Sequence, residues 1–478
     1  MPSHPEAPRP FPLAHPPLSP ATTRVILVRH GRSTFNDQQR YQGSSDAAVL
    51  SEQGWHQAQC LGQALKSTAI DAIYASPLRR AQQTVQGLLS EIQAHPTQVP
   101  PLPKAPAVWS EPRAAVAVGQ DRQAPPLYTH DLLREIHLPA WEGRSYHEVR
   151  QQDADSYRRW VQRPHEFAMT TEPIPPALET LSQRRQIPLP DWASGFSPRT
   201  GDGDRGGDRH WVQLPHEFEM TTTCLAEAMP ENVTPSGVQT IYPVLELYQR
   251  AQAFWQDVLP KHIGETILIV SHGGTNHALI SAALGLPPSC HHRLQQSNGG
   301  ISILDYCHVT AASRLWALNL TTHLGETLPK LKVGKQGVRL VLLPVGASLT
   351  RIRSSLLQML QNTPITYSLT QVDEMTQAIA PPILAHCSDV LSFQVRCEDF
   401  AQQWHRALTQ IHQTPALTTG LAIAPRTTLQ SLIAATIGLP HPSHALALMP
   451  GTLSVLHYPP GDHPPVLQAM NLGLDIHP

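Results

Sequence analysis

Short apolar runs alternate with stretches of helical periodicity through most of the first two thirds of the chain. Val25-Ile26-Leu27-Val28 is a β-branched run of the kind that forms a parallel strand buried on both faces. Helical spacing runs from Ser51 to Leu65, with Gly54 near its start. Ile70 to Tyr74 reads as a second strand and Arg79 to Leu89 as a second helix. The pattern resumes with a helix over Val244–Leu259, a buried strand over Glu265–Val270, a helix over Thr275–Leu284 and a strand over Ile301–Tyr306. Strands alternating with helices predict an α/β fold, a three-layer α/β/α sandwich with a mainly parallel sheet.

Three stretches interrupt this order. Residues 1–22 form a Pro-rich tail, expected to be extended or disordered. Between Ala94 and Tyr128 the chain is Pro-rich and aperiodic, an insertion near 95–128. A second insertion, near 172–210, is flanked by a repeat: WVQRPHEFAMTTE at 160–172 and WVQLPHEFEMTTT at 211–223 agree at ten of thirteen positions, 51 residues apart. This reads as a local duplication, with the Gly/Asp/Arg run Gly201–Arg209 as linker.

Composition narrows the function classes. Charged residues are 15% of the 478 positions, net charge is -2, and no basic face emerges to suggest a nucleic-acid partner. The 47 prolines predict long loops rather than longer helices. Six scattered cysteines include no C-x-x-C pair, which argues against a zinc knuckle and for a reducing, cytoplasmic setting. The amino terminus lacks a signal peptide's basic and apolar regions, and no apolar stretch approaches the ~18 residues of a membrane span. Despite 26 histidines, including His291-His292 and His277, no ligand spacing with Cys or acidic residues suggests a metal site, and no nucleotide-binding glycine motif occurs. No metal or cofactor is expected.

Candidate chemistry begins directly after the first strand, in Arg29-His30-Gly31-Arg32-Ser33-Thr34-Phe35-Asn36. Open α/β sheets place ligands at the carboxyl ends of their strands. Arg29 offers a planar donor fork for phosphate oxygens, and the backbone around Gly31 can turn about an anion. This R-H-G-x-S-x-x-N block resembles the histidine phosphatase superfamily, the phosphoglycerate-mutase-like enzymes. Further blocks follow in the family's order: Gly43-x-x-Asp46 with Leu50-Ser51-x-x-Gly54-x-x-Gln57-Ala58; Ser76-Pro77-Leu78-Arg79-Arg80-Ala81-x-x-Thr84; Leu133-Arg134-Glu135 with Trp141-Glu142-Gly143; and Ser271-His272-Gly273-Gly274, with Asn298-Gly299 before the final strand.

The resemblance implies a metal-independent phosphomonoesterase. His30 would be the nucleophile that becomes phosphohistidine, since a neutral imidazole is not repelled by a phosphate dianion. Arg29, Arg80 and His272 would hold the phosphoryl oxygens, with Asn36 and Gly273 completing the phosphate-binding set. Glu135, rather than nearby Glu142, would be the proton donor and later the base. Pro139 stands where the family usually has glycine, which argues for a phosphatase over a mutase. Arg32 and His137 are candidate substrate contacts, each competing with a plain surface role.

The motif-bearing order then recurs in worn form. Arg339-Leu340-Val341-Leu342-Leu343-Pro344-Val345-Gly346-Ala347-Ser348 parallels Arg24–Ser33, placing Pro344 opposite Arg29 and Val345 opposite His30. Ala422–Pro440 parallels Ile269–Pro287, with Pro425 opposite His272, and Leu453–Tyr458 parallels Ile301–Tyr306. The fold is therefore expected twice: a catalytic domain over 23–322, a linker over 323–337 and a degenerate copy without catalytic histidines over 338–478. An active copy joined to a degraded one resembles the 2-carboxyarabinitol-1-phosphatase-like group. A small phosphorylated sugar or sugar acid is the expected substrate. Alternatives are an α-ribazole phosphatase, a mutase-type phosphotransferase, or a non-catalytic scaffold. No nucleic-acid or membrane partner is expected, and homodimerisation is left open.

Overall fold

A computed structural model describes residues 18–92, 125–171, 239–347, 349, 353–387, 390–411, 416–440 and 445–473. The second copy of the duplicated segment (211–223), the Gly/Asp/Arg run and most of both insertions lie outside the described residues. The chain divides into two units. One, residues 168–241, contributes β4 (Met169–Thr171) and β5 (Gln239–Ile241), an antiparallel pair with Thr170 opposite Thr240. The other holds everything discussed below.

That unit is built on one twelve-stranded sheet. Its amino-terminal half supplies β1 (Thr22–Arg29), β2 (Ala72–Ala75), β3 (Leu127–Thr129), β6 (Thr266–Ser271), β7 (Ile301–Cys307) and β8 (Ala312–Leu320). The carboxyl-terminal half supplies β9 (Gly337–Val345), β10 (Tyr367–Gln371), β11 (Leu391–Val395), β12 (Leu417–Pro425), β13 (Leu453–Tyr458) and β14 (Val466–Leu472). The order is β11-β10-β12-β9-β13-β14-β8-β7-β1-β6-β2-β3, so each half repeats the other's order about the central β14–β8 pair. In each half four strands run parallel and the two inner ones antiparallel.

Register makes the repeat quantitative. Arg29 pairs with Ser271 across β1 and β6, and Pro344 with Ala424 across β9 and β12. Leu27 lies opposite Ser302, and Leu342 opposite Ser454. These are the positions the sequence comparison aligned. The segment 323–337 joins two strands of one sheet rather than two separate sheets. The sheet also continues past the strand over 301–306 read as final, because β8 follows it. Arg314 and Asn319 interrupt β8's apolar run and obscure it in the sequence.

The strands' alternation divides their side chains between two faces. On one, Ile26, Val28, Leu268 and Val270 pack with Leu61 and Leu65 of the helix Glu52–Leu65 and Val85 and Leu88 of the helix Arg79–Ile92. The same apolar cluster continues through Val341, Leu343, Val455 and Leu472 of the second half. Val25 and Leu27, also fully buried, belong to the opposite side, where the helices Pro243–Val258 and Gly273–Leu284 pack together and Trp255 Nε1 donates to the Leu279 carbonyl at 3.0 Å. The helix Gly273–Leu284 ends at Gly285 (φ 74°), and its counterpart Arg426–Ile437 at Gly438 (φ 81°), left-handed caps that suit glycine. Among the described residues no helix is long and apolar enough to cross a membrane.

Candidate active site

Parallel pairing of β1 with β6 brings Arg29, His30, Ser271 and His272 to the same end of the sheet, and the His30 amide donates to the Ser271 carbonyl at 2.9 Å. His30 is 1% exposed and His272 is fully buried, with ring centroids 5.2 Å apart. The Nδ1 of His30 lies 2.7 Å from the Gly31 carbonyl. A carbonyl only accepts, so Nδ1 carries the proton and Nε2 keeps its lone pair. No hydrogen bond engages Nε2 among the described residues. Burial holds the His30 imidazole well below its ordinary pKa, and the charges of Arg80 and Arg29 add to this. The ring is therefore neutral at neutral pH. Gly31 is required for the approach: a Cβ there would stand 2.4 Å from the Gly54 carbonyl oxygen.

Two arginines flank His30. Arg80 is fully buried and donates from Nη1 to the Ser45 carbonyl (2.8 Å) and from Nη2 to that of Gly43 (2.9 Å), leaving Nε without a partner. Burial pushes it down to about 10, so it stays charged. Arg29 donates from Nη1 to the Gln296 carbonyl at 2.8 Å, and its Nε is also buried and unpartnered. Buried guanidinium donors without a protein partner, one at a strand end and one in the first turn of a helix, suit an anionic ligand. Helix and strand are tied here by Thr84, whose hydroxyl accepts from the Gly31 amide (3.0 Å) and donates to the Arg80 carbonyl (2.7 Å).

His272 occupies the N-cap position of the helix Gly273–Leu284, without a side-chain capping bond, and places Nε2 2.7 Å from the Ser76 hydroxyl, just after β2. Its Nδ1 is buried without a partner. Burial, then the Arg80 charge, holds its pKa well below the ordinary range. Glu135 sits over the same helix terminus: Oε1 accepts from the amides of Ile136 (2.9 Å) and Thr275 (3.1 Å), and Oε2 from that of Gly274 (3.2 Å). Helix amino termini favour an anion there. A Cβ at Gly274 would lie 2.7 Å from Glu135 Oε1, and one at Gly273 3.4 Å from Arg29 Nε. Arg250 fixes the segment by donating to the carbonyls of Arg134 (2.9 Å) and Glu135 (3.2 Å).

Asn36 is brought to the site, with its Oδ1 already committed: it accepts from the Ser33 amide (3.2 Å), the Ser33 hydroxyl (3.1 Å) and Asn298 Nδ2 (3.0 Å). Only its amide nitrogen remains to meet an anion. Glu142 stands apart from Glu135 and fastens the Gly43–Asp46 turn, accepting from the Ser44 amide (2.7 Å) and hydroxyl (3.0 Å). Burial alone would raise its carboxyl; hydrogen bonds from His137 and Ser44 together bring it below the ordinary value. His137 Nδ1 lies 2.8 Å from the Ser44 hydroxyl, and Arg32 is ion-paired with Asp37 at the surface.

Three residues escaped the sequence reading. Asn298, quoted only as part of a block, donates to the His30 carbonyl at 3.1 Å. The Tyr146 hydroxyl hydrogen-bonds Asn36 and lies near Arg29 and Glu135. Lys332, in the segment between the halves, acts electrostatically on His30 and Arg29. Only the family's Asn-Gly block carried a signal for any of them. At the matching edge of the second half stand Pro344, Val345 and Pro425, none of which can accept or transfer a phosphoryl group. His277, His291 and His292 form ring contacts, and among the described residues no cluster of three or more His, Cys, Asp or Glu could hold a metal ion.

The sequence profile of the histidine phosphatase superfamily (branch 1) matches residues 25–102, 113–186 and 215–319, more than half of the chain. A probable 2-carboxy-D-arabinitol-1-phosphatase of Arabidopsis thaliana is 26% identical over 285 residues, 60% of this chain and 38% of its own. The 2-carboxy-D-arabinitol-1-phosphatase of Triticum aestivum is 27% identical over 61% of this chain and 39% of its own. The chain thus spans about two fifths of these plant relatives. Phosphoserine phosphatase 1 of Hydrogenobacter thermophilus is 23% identical over 63% of this chain and 95% of its own. Among solved structures, the α-ribazole phosphatase of Shigella flexneri is similar at 21% identity and a TM-score of 0.35, over 62% of this chain and 96% of that one.

Proposed function

The chain belongs to the histidine phosphatase superfamily, and we propose that it is a phosphoric monoester hydrolase that works through a phosphohistidine formed on Nε2 of His30. The observation that carries this is the 2.7 Å contact of His30 Nδ1 with the Gly31 carbonyl, which leaves Nε2 unprotonated beside two charged arginines. Arg29 and Arg80 take the non-bridging oxygens with their free Nε donors, and His272 offers Nδ1. Nε2 attacks phosphorus as the ester oxygen leaves with a proton from Glu135. A water then attacks the phosphohistidine, gives its proton to the Glu135 carboxylate and frees orthophosphate and His30. No step calls for a metal or cofactor.

The substrate is a small phosphorylated metabolite, of the sugar or sugar-acid phosphate class, met in the cytoplasm. The plant relatives' names and the joined pair of similar halves support that class. The second half is a degenerate copy that holds the site's loops. Gln295 donates its amide to the Leu467 carbonyl at 3.0 Å, and Gln296 beside it carries Arg29.

The test is phosphate release from a panel of sugar phosphates, phosphoserine and phosphoglycerates in EDTA, by wild type and His30→Ala. Acid-quenched labelling with a radioactive ester accompanies it. Release and label in wild type alone support the mechanism. Equal release by both proteins removes His30 from it, and no release from any compound returns weight to a scaffold role.

A further inference from the structure

Lys332 belongs to the segment that joins the two halves, outside every block the family resemblance covers. Its neighbours are pinned against the active-site loop. His323 is buried, with its Nε2 2.9 Å from the Gly299 carbonyl, and the Gly299 amide donates to that of Arg29 at 3.0 Å. Gln295 Nε2 donates to the Lys330 carbonyl at 3.0 Å, one residue before the Gln296 carbonyl that holds Arg29. The backbone two residues before Lys332 is therefore tied directly to the loop carrying the site's first arginine.

The Lys332 ammonium is within electrostatic reach of His30, Arg29, Glu135 and His277. The nearest acid on its own segment, Glu326, is engaged by Lys330 at 3.2 Å. Among the described residues no carboxylate lies within ion-pair distance of Lys332. Lys332 is exposed to water although protein crowds it. Crowding and then repulsion from Arg29 lower its pKa, and access to water limits that effect. An anion settling beside it would relieve both.

Arg29 and Arg80 already meet the phosphoryl charge. A third cation, within electrostatic reach of Arg29 and of Glu135 and without an ion-pair partner among the described residues, fits a second negative charge on the substrate. We propose that Lys332 is a specificity-determining residue that binds a carboxylate of the leaving group, selecting phosphomonoesters of hydroxy acids over uncharged alcohols. The proposal rests on the phosphomonoesterase reading. It adds that the segment between the halves completes the substrate site, and so gives that junction a use in recognition.

The experiment compares two esters that differ in one group, 3-phosphoglycerate and glycerol 3-phosphate. Binding is measured by calorimetry on the full-length His30→Ala protein, which does not turn over, alone and with Lys332→Met or Lys332→Arg. kcat/KM is measured with His30 intact. The expected result is that 3-phosphoglycerate binds about tenfold more tightly or better, as one charge-assisted contact provides. Lys332→Met removes most of that difference by weakening 3-phosphoglycerate far more than glycerol 3-phosphate, mainly through KM in the active enzyme, and Lys332→Arg restores most of it. Equal losses for both esters would make Lys332 part of the general phosphate field and overturn the inference. So would a preference that survives Lys332→Met. Failure of both esters to bind, with no His30-dependent turnover of any ester, would overturn the phosphatase reading together with it.

Discussion

Asn319 and Asn471 exchange places across the centre of the sheet. Asn319 Nδ2 donates to the Gln468 carbonyl at 2.7 Å, and Asn471 Nδ2 to that of Trp316 at 2.6 Å; both pairs of counterparts, 319 with 471 and 316 with 468, are 152 positions apart. Both asparagines adopt a left-handed backbone, φ 53° and 64°, and each amide donates to a serine hydroxyl, Ser302 or Ser454. The two halves thus meet through an interface with the reciprocity of a twofold dimer, enclosed within one chain.

The two asparagines differ in what they hold. Asn319 Oδ1 accepts from the Ser297 amide at 2.6 Å, beside the loop that positions Arg29, whereas Asn471 Oδ1 accepts from Met449 at 3.0 Å in the half where Val345 and Pro425 stand at the matching strand ends. Replacing either by alanine strains a left-handed residue and orphans buried groups, a loss of about 2–4 kcal/mol. Asn319→Ala should also lower kcat/KM, while Asn471→Ala should spare it at temperatures where both are folded. Denaturant titration and steady-state kinetics separate the two effects.

Ser76→Ala deprives His272 Nε2 of its hydrogen-bond partner at 2.7 Å. The ring loses the contact that orients its buried Nδ1, and kcat should fall about tenfold or more, the loss typical of a positioning contact to a catalytic group. Ser76→Thr should recover much of the rate. An unchanged kcat in the alanine variant would mean that packing alone sets the ring.

Glycine is needed for space beside Glu135. Gly274→Ala puts a methyl 2.7 Å from the Glu135 carboxylate, whereas Gly273→Ala meets Arg29 Nε at 3.4 Å. The first should displace Glu135, the proposed proton donor, and depress kcat on esters with poor leaving groups. Aryl phosphates, which leave without much help, should suffer less. The second should be the milder change, and the same substrates compared between the variants test the ranking.

Stability should fall as pH drops through about 6.5, where histidines in the unfolded chain take up protons. Burial holds His30, His272, His277 and His291 well below that value, and His292 and His323 at about 4. Between these limits the unfolded state binds more protons than the folded one, so lower pH favours unfolding. Each such histidine adds up to about 1.4 kcal/mol per pH unit to the slope. Urea midpoints measured between pH 7.5 and 4.5 should decline steeply below 6.5. A flat profile would mean that these rings are protonated in the folded protein.

Much of this architecture was already legible in local pattern. β1 and β6 are short unbroken apolar runs, and a strand buried on both faces has no other way to be written. Arg29, His30, Arg80 and His272 lie in compact blocks because each stands at a strand end or opens a helix, and Glu135 follows the short turn Asp131–Leu133. Even the equivalence of Pro344 with Arg29 and of Pro425 with His272 survived as aligned strands, and the sheet register reproduces it.

Contacts between distant parts of the chain had no such signature. The Asn298 amide meets the His30 carbonyl across 268 residues, and Ser76 meets His272 across 196. Neither separation has a period, and a side chain that hydrogen-bonds a backbone oxygen leaves no mark on the hydrophobic pattern. The free Nε2 of His30 depended on where the Gly31 carbonyl turned. The sequence determined two similar α/β halves and which of them carries the blocks of the histidine phosphatase superfamily. Tertiary structure alone decided that they share one sheet, because β8 and β14 meet edge to edge only once both halves have folded. It also decided that the segment between them is fastened to the loop that holds Arg29, because pairing Gln295 with Lys330 depends on the folded loop.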